Sequence, residues 1–167
     1  MKRCPRSLLG MVMIGTFFLA ACGLQREGER RSDSFVNLKE LSISPAIIDD
    51  GKQIQVGWDV SYSSPSGLYT FELHVGEDAL ALSDQTRVFS LNCPLHASCQ
   101  SEGMALRVCE YGGRDSSESA SLTCSDSPTE SKEISRTGNL LAIGRACIFD
   151  ENAAMLCDSK SIEIHLG

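Results

Sequence analysis

The sequence predicts an all-β domain, an antiparallel β-sandwich of about seven or eight strands, and three observations support it. Several segments between residues 35 and 167 alternate apolar and polar residues at the period of two that is typical of half-buried strands. No segment of this region has the apolar periodicity of an amphipathic helix. Six cysteines lie in its second half, an even number that suits disulfides. We therefore expect one domain at 35–167, stapled by disulfides in its second half.

The first two strand candidates are separated by a clear break. Residues 35–44 form the first, which Pro45 and the cluster Asp49-Asp50-Gly51 terminate. In the second, residues 53–62, five large apolar residues share one face: Ile54, Val56, Trp58, Val60 and Tyr62. This pattern predicts that Trp58 is a core residue.

A serine-rich turn at 63–67 leads to another alternating strand at 69–75. Its apolar residues are expected to point inward: Tyr69, Phe71, Leu73 and Val75. Its polar residues are expected to face solvent: Thr70, Glu72 and His74.

The next strands are shorter, and a long polar segment follows them. Residues 79–82 and 87–91 predict two short strands or one interrupted strand. In the segment 104–111, three larger apolar residues alternate with a second set: Met104, Leu106 and Val108 against Ala105, Arg107 and Cys109. The serine-rich segment 112–135 is expected to be a surface excursion, ordered only near 122–124.

The last two strand candidates are residues 139–149 and 156–166, joined by the polar linker 150–154. In the final strand, Ile162, Ile164 and Leu166 share one face, and Glu163 and His165 share the other. This alternation predicts a half-buried strand at the end of the chain.

The N-terminal 22 residues have the order of an export signal. A basic start with Lys2, Arg3 and Arg6 precedes an uncharged, mostly apolar run of 14 residues at 8–21. That run is short for a membrane-spanning helix, which needs about 20 apolar residues. An ordinary signal peptide, with a cysteine that follows it by coincidence, is the other alternative.

The end of this run, Leu19-Ala20-Ala21-Cys22, resembles the lipobox of bacterial lipoproteins. The resemblance implies cleavage between Ala21 and Cys22, so that residues 1–21 are a signal peptide. It also implies a diacylglycerol on the Cys22 thiol and often a further acyl chain on its amino group. Two or three acyl chains make a stable membrane anchor, whereas a single chain binds only marginally.

Residues 22–34 are then the lipidated cysteine and a polar, flexible tether. Twelve such residues reach roughly 20 Å on average, at about 5–6 Å times the square root of their number. In enteric-type lipoproteins an Asp after the modified cysteine favours retention in the inner membrane. Gly23 stands there, so the resemblance implies an exported protein held at the outer membrane of a bacterial cell envelope.

Residues 35–91 resemble immunoglobulin-like domains of the fibronectin type III kind. The likeness rests on Trp58 in one alternating strand and Tyr69 near the start of the next. It implies an immunoglobulin-like sandwich and carries no activity of its own.

The charge of the mature chain excludes one class of partner. The precursor has a net charge of −7, and loss of Lys2, Arg3 and Arg6 lowers it by three, to −10. Nucleic-acid binding needs clustered Lys and Arg against phosphates, so we expect no nucleic-acid partner.

The cysteine count predicts a disulfide framework. Cys4 leaves with the signal and Cys22 carries lipid, so six cysteines remain of the eight in the chain, and they allow fifteen pairings. A symmetric turn near Asn152 places two of them opposite each other, a short loop encloses two more, and the last two pin the serine-rich segment. The predicted pairs are Cys93–Cys99, Cys109–Cys124 and Cys147–Cys157.

A zinc site is the alternative use of one pair, since Cys93, His96 and Cys99 have the spacing of metal ligands. A fourth ligand is not evident nearby, and an oxidising compartment favours disulfides. We predict no metal and no cofactor. The sequence has no GxSxG, HExxH, phosphate-loop or EF-hand motif, which favours a non-enzymatic protein.

These observations lead to one main functional hypothesis and one alternative. The first is a lipid-anchored cell-envelope protein that binds or assembles with another envelope component through its sandwich loops and the excursion 112–135. The alternative is an envelope-anchored inhibitor of a lysozyme or protease, with the loop 93–99 as its inserted element.

We predict that Cys22→Ala releases the protein into the soluble fraction or stalls its processing, because the thiol that accepts lipid is gone. Membrane fractionation and the mass of the processed chain measure this. Unchanged fractionation together with unchanged processing would refute lipidation at this residue.

Overall fold

A computed structural model describes residues 33–78, 82–99, 104–112, 120–124, 131–134 and 138–167. The predicted signal peptide, with Ala21 and Cys22, and most of the predicted tether lie outside these ranges. Within them the chain forms ten β-strands and a single 3₁₀ turn. None of the described residues belongs to a helix that is long and apolar enough to cross a membrane.

The strands confirm the all-β prediction and exceed the expected number. Their bounds are β1 Phe35–Ser44, β2 Ile47–Ile48, β3 Lys52–Ser63, β4 Tyr69–Gly76, β5 Arg87–Cys93, β6 Ala105–Gly112, β7 Ala120–Cys124, β8 Ser131–Ile134, β9 Gly138–Phe149 and β10 Met155–Leu166, with the 3₁₀ turn at Ala97–Cys99. Of the short strand predicted at 79–82, residues 79–81 lie outside the described residues.

The described strands form two five-stranded sheets in a sandwich-like arrangement. The order is β1-β3-β6-β7-β8 in the first sheet and β2-β10-β9-β4-β5 in the second, which curls into a half-barrel. Neighbouring strands pair antiparallel except β2, which runs parallel to β10. Each sheet presents alternate side chains to a shared interior, as the period of two requires.

One edge of the sandwich is closed by the chain crossing between the sheets. β1 belongs to the first sheet and β2, only a few residues later, to the second. The carboxylate Oδ2 of Asp158 in β10 accepts a hydrogen bond of 2.9 Å from the Leu38 amide in β1. Further along, the His165 amide donates to the Ala46 carbonyl at 2.8 Å. β1 and β2 together therefore run alongside β10.

The core is centred on Trp58, which is fully buried as predicted. Its ring stacks on Phe71 of the opposite sheet, with centroids 4.2 Å apart and an angle of 4° between the planes. The indole N–H donates to the Tyr69 hydroxyl at 3.3 Å. Buried polar groups need such partners, so this contact sets how the two sheets face each other.

β6 presents the opposite face from the one that its larger apolar residues suggest. Arg107, Cys109 and Tyr111 are buried, whereas Leu106 is 44 % exposed. The interior face of β6 carries Cys109 and Tyr111. Burial of these two side chains stabilises the fold by more than the exposure of Leu106 destabilises it.

The expectation of a mainly irregular segment at 112–135 is wrong in part. Ala120–Cys124 and Ser131–Ile134 are antiparallel strands that extend the first sheet beyond β6. Leu122 is fully buried, which explains why this segment joins the sheet. Residues 113–119, 125–130 and 135 of the segment lie outside the described residues.

Gly144 in β9 provides a test of how tightly the two sheets pack. A Cβ atom there would lie 2.8 Å from Leu41 Cδ1 and 3.2 Å from Phe71 Cζ, both in the core.

We predict that Gly144→Ala lowers the free energy of unfolding by about 1–3 kcal/mol, the usual effect of overpacking. At Gly76 in β4 the nearest atom to a new Cβ is 3.4 Å away, so Gly76→Ala is the matched control. Equal urea midpoints for the two variants would contradict this packing.

Candidate functional site

The structure contains the three predicted disulfides. Cys147 and Cys157 are opposite each other in the β9–β10 hairpin, with Cα atoms 4.1 Å apart. Cys109 and Cys124 are opposite each other in β6 and β7, with Cα atoms 3.9 Å apart. The third bridge closes the loop after β5 by joining Cys93 to Cys99. In the chain-entropy model, bridges of this length contribute roughly 2–3 kcal/mol each.

The zinc alternative fails on the bridge between Cys93 and Cys99. Cys93 and Cys99 share a disulfide, so neither sulfur is the thiolate that zinc requires. His96 is also engaged, since its Nδ1 accepts a hydrogen bond of 3.1 Å from the Ser98 amide. In the described part of the chain, no group of three or more His, Cys, Asp or Glu side chains is arranged to hold a metal ion.

The loop 93–99 rests on a buried arginine. Arg107 of β6 lies with its guanidinium carbon 4.9 Å from the centroid of the Phe89 ring. Its Nη1 is 3.4 Å from His96 Nε2, and its Nη2 donates to the Cys124 carbonyl at 3.4 Å. The loop is thus supported from beneath while its tip projects, with Leu95 70 % exposed.

One end of the sandwich gathers this loop with three other segments, and we call it the entry end. It consists of the start of β1 at 33–35, the β3–β4 turn at 63–69, the loop 93–99 and the hairpin tip 149–156. Register places them level with one another, because Tyr69 pairs with Cys93 and its neighbour Thr70 pairs with Cys147. Tyr62 and Tyr69 are also in ring contact, with centroids 4.8 Å apart.

Exposed apolar side chains are concentrated at the entry end. Seven large apolar residues of the described chain are exposed, and five of them lie there: Phe35, Leu95, Phe149, Met155 and Leu156. The other two lie outside these segments, Ile47 in β2 near the opposite end and Leu106 as the second residue of β6, paired with Gly57 of β3. Scattered exposed apolar residues are ordinary, but their concentration at one end indicates a contact surface.

A pocket of about 260 Å³ opens beside this surface. Leu68, Asn92 and Phe149 are among the residues that line it. Small-molecule sites usually enclose about 300–1,000 Å³ and bury most of the ligand. The entry end therefore suits a surface contact better than an enclosed ligand.

A cluster of charged side chains occupies the outer face of the second sheet, and we call it the Glu72 cluster: Glu72, His74, Arg87 and Arg145. Glu72 is at its centre, 3.3 Å from Arg87 Nη1, 3.8 Å from Arg145 Nη1 and 3.5 Å from His74 Nε2. His74 Nδ1 also lies 3.1 Å from the Thr86 hydroxyl. These contacts hold the end of the β4–β5 connection against the sheet.

His74 corrects the prediction of a solvent-facing residue, since it is only 2 % exposed. It does lie on the outer face, as the alternation indicated, but Thr86 covers it there. Burial lowers the pKa of His74 because it penalises the charged ring. The Glu72 carboxylate opposes this effect, and the positive charges of Arg87 and Arg145 add to it.

No known protein-family model matches the sequence, and no curated protein is significantly similar to it.

Sequence reasoning located the cysteines but missed the apolar residues of the hairpin tip. Phe149 and Met155 lie at strand ends, where the alternation pattern says only which face each side chain takes. The available signal was the pair of large apolar residues that flank the polar tip 150–154.

We predict that stability falls as the pH drops below 6.5, the ordinary pKa of histidine. The folded state takes up a proton on His74 only at a lower pH than the unfolded chain does, so protons favour unfolding in this window. In His74→Gln, the contribution of His74 to the change of unfolding free energy with pH should disappear. Urea midpoints between pH 8 and pH 5 measure it, with His165→Gln at an exposed position as the matched control. An unchanged slope in His74→Gln would contradict the assignment.

Proposed function

We propose that this chain is a lipid-anchored, non-enzymatic protein of a bacterial cell envelope. Its β domain binds or assembles with another envelope component through the loops of the entry end. The lipobox-like sequence at Leu19–Cys22 and the polar segment after it support an exported, anchored chain. The three disulfides suit the oxidising compartment that export implies.

The observation that carries the binding role is the clustering of exposed apolar residues at the entry end. Five of the seven exposed large apolar side chains in the described ranges occur there. The strands that lead to this end are held by the Trp58–Phe71 stack and by the cross-strand disulfide Cys147–Cys157. A rigid scaffold that presents loops at one end is the usual arrangement for binding.

The strand order supports an immunoglobulin-like version of the sandwich. β10, β9, β4 and β5 follow the order of the G, F, C and C′ strands, and β1-β3-β6 follows A, B and E. The crossing of the chain from β1 to β2 supports the same assignment, because it carries the first strand from one sheet to the other. β7 and β8 are additions to that plan.

The alternative is inhibition of a lysozyme or protease, which the geometry of the loop 93–99 favours. A disulfide closes the loop, and its exposed residue Leu95 projects from the domain. A pre-organised loop loses little conformational entropy when it enters a cleft. Inhibition by the soluble domain that is lost in Leu95→Ala would favour this function.

We predict that a photo-crosslinking amino acid at position 95 yields discrete adducts with an envelope component in intact cells. The same amino acid at position 47 is the control, because Ile47 is exposed in β2, near the opposite end of the sandwich. Gel mobility and mass spectrometry of the adducts report the contact. Adducts of equal yield at both positions, or at 47 alone, would contradict binding through the entry end.

A further inference from the structure

Four of the apolar residues at the entry end lie at the ends of β1, β9 and β10, and we call them the hairpin corner: Phe35, Phe149, Met155 and Leu156. Phe149 and Met155 pair directly in the β9–β10 hairpin, so their side chains leave the same face of the sheet. They are 58 % and 55 % exposed.

Phe35 joins this corner through the path of β1. The Leu38 amide contacts the Asp158 carboxylate, and from there β1 and β10 run in the same direction. Three residues back from Leu38 is Phe35, and three residues back from Asp158 is Met155. The start of β1 therefore lies beside the start of β10, with Phe35 49 % exposed.

The position of this corner along the chain puts it close to the proposed lipid anchor. If Cys22 carries the lipid anchor, 13 residue steps separate the membrane from Phe35, and these span at most about 45 Å. The 12-residue strands β9 and β10 are themselves roughly 40 Å long, at about 3.3 Å per residue. The mean reach of such a segment, roughly 20 Å, is about half that length, so the hairpin corner stays nearer the proposed anchor than the opposite end of the sandwich does.

The charges at the corner favour one kind of lipid surface. Two acidic residues lie between Phe149 and Met155: Asp150, which is half-buried, and Glu151, which is exposed. Asp150 Oδ1 accepts hydrogen bonds of 2.8 Å from the amides of Asn152 and Ala154, which keeps its carboxylate at the tip. Anionic headgroups would repel these carboxylates. At a zwitterionic surface, the apolar contact is the main contribution to the free energy of binding.

We propose that the hairpin corner docks onto a zwitterionic bilayer surface and orients the anchored domain with its entry end toward the membrane. This inference rests on the proposed lipid anchoring and names the bilayer itself as the component that the corner contacts. Phe149 and Met155 enter the interface between headgroups and acyl chains, where large apolar side chains are favoured.

The test attaches residues 23–167 to the membrane through an N-terminal hexahistidine tag, which takes the place of Cys22. The vesicles contain phosphatidylcholine brominated on its acyl chains, phosphatidylethanolamine and a nickel-chelating lipid. Phe149→Trp and Met155→Trp report from the corner, and Ile47→Trp reports from an exposed site near the opposite end. Wild-type protein supplies the background from Trp58, which is buried.

We expect bromine to quench the introduced indole of Phe149→Trp and of Met155→Trp at least about threefold more than that of Ile47→Trp, with a blue shift in the two corner variants alone. Equal quenching at both ends would overturn the proposal, because the domain would then have no preferred end at the membrane. No quenching at the corner would also overturn it, because the corner would then not enter the bilayer. Since the tag supplies the anchor, failure of docking is distinguished from failure of lipidation, which the Cys22→Ala fractionation tests.

Discussion

The stack of Trp58 on Phe71 is the contact on which the arrangement of the two sheets depends. Trp58 belongs to the first sheet and Phe71 to the second, and the indole N–H also binds the Tyr69 hydroxyl beside it. No disulfide in the described chain joins a strand of one sheet to a strand of the other. The sheets are therefore held against each other by packing and by a few hydrogen bonds, such as that from Leu38 to Asp158, and the stacked rings lie at the centre of this contact.

The disulfides have a different role, because they stiffen the parts that project from this core. Cys109–Cys124 ties β7 to β6 where the first sheet extends outward. Cys147–Cys157 clamps the hairpin just below its apolar tip. Cys93–Cys99 closes the loop that carries Leu95. A binding surface loses less entropy on contact when its scaffold is already ordered, so the bridges suit the proposed interaction end.

The candidate site was predictable only where its geometry is local in sequence. The pairing of Cys147 with Cys157 follows from a symmetric turn near Asn152, since antiparallel register depends on the turn alone. His74 was placed on the correct face, but its burial depends on Thr86, which a long connection brings back to the sheet. The hairpin corner depends on β1 running alongside β10, as the hydrogen bond from Leu38 to Asp158 shows. Contacts between such distant segments leave no periodic signal.

The sequence by itself determined the all-β class, most of the strand positions, the core location of Trp58 and the three disulfide pairs. Alternation at a period of two and short loop lengths are properties of residues that are close together in the chain. They can therefore be recognised from the sequence alone. Tertiary structure alone decided that Arg107 and Tyr111 face inward in β6, that His74 is covered, and that the exposed apolar residues gather at one end. Burial is a relation between segments far apart in the chain, so it is settled only when the sheets pack.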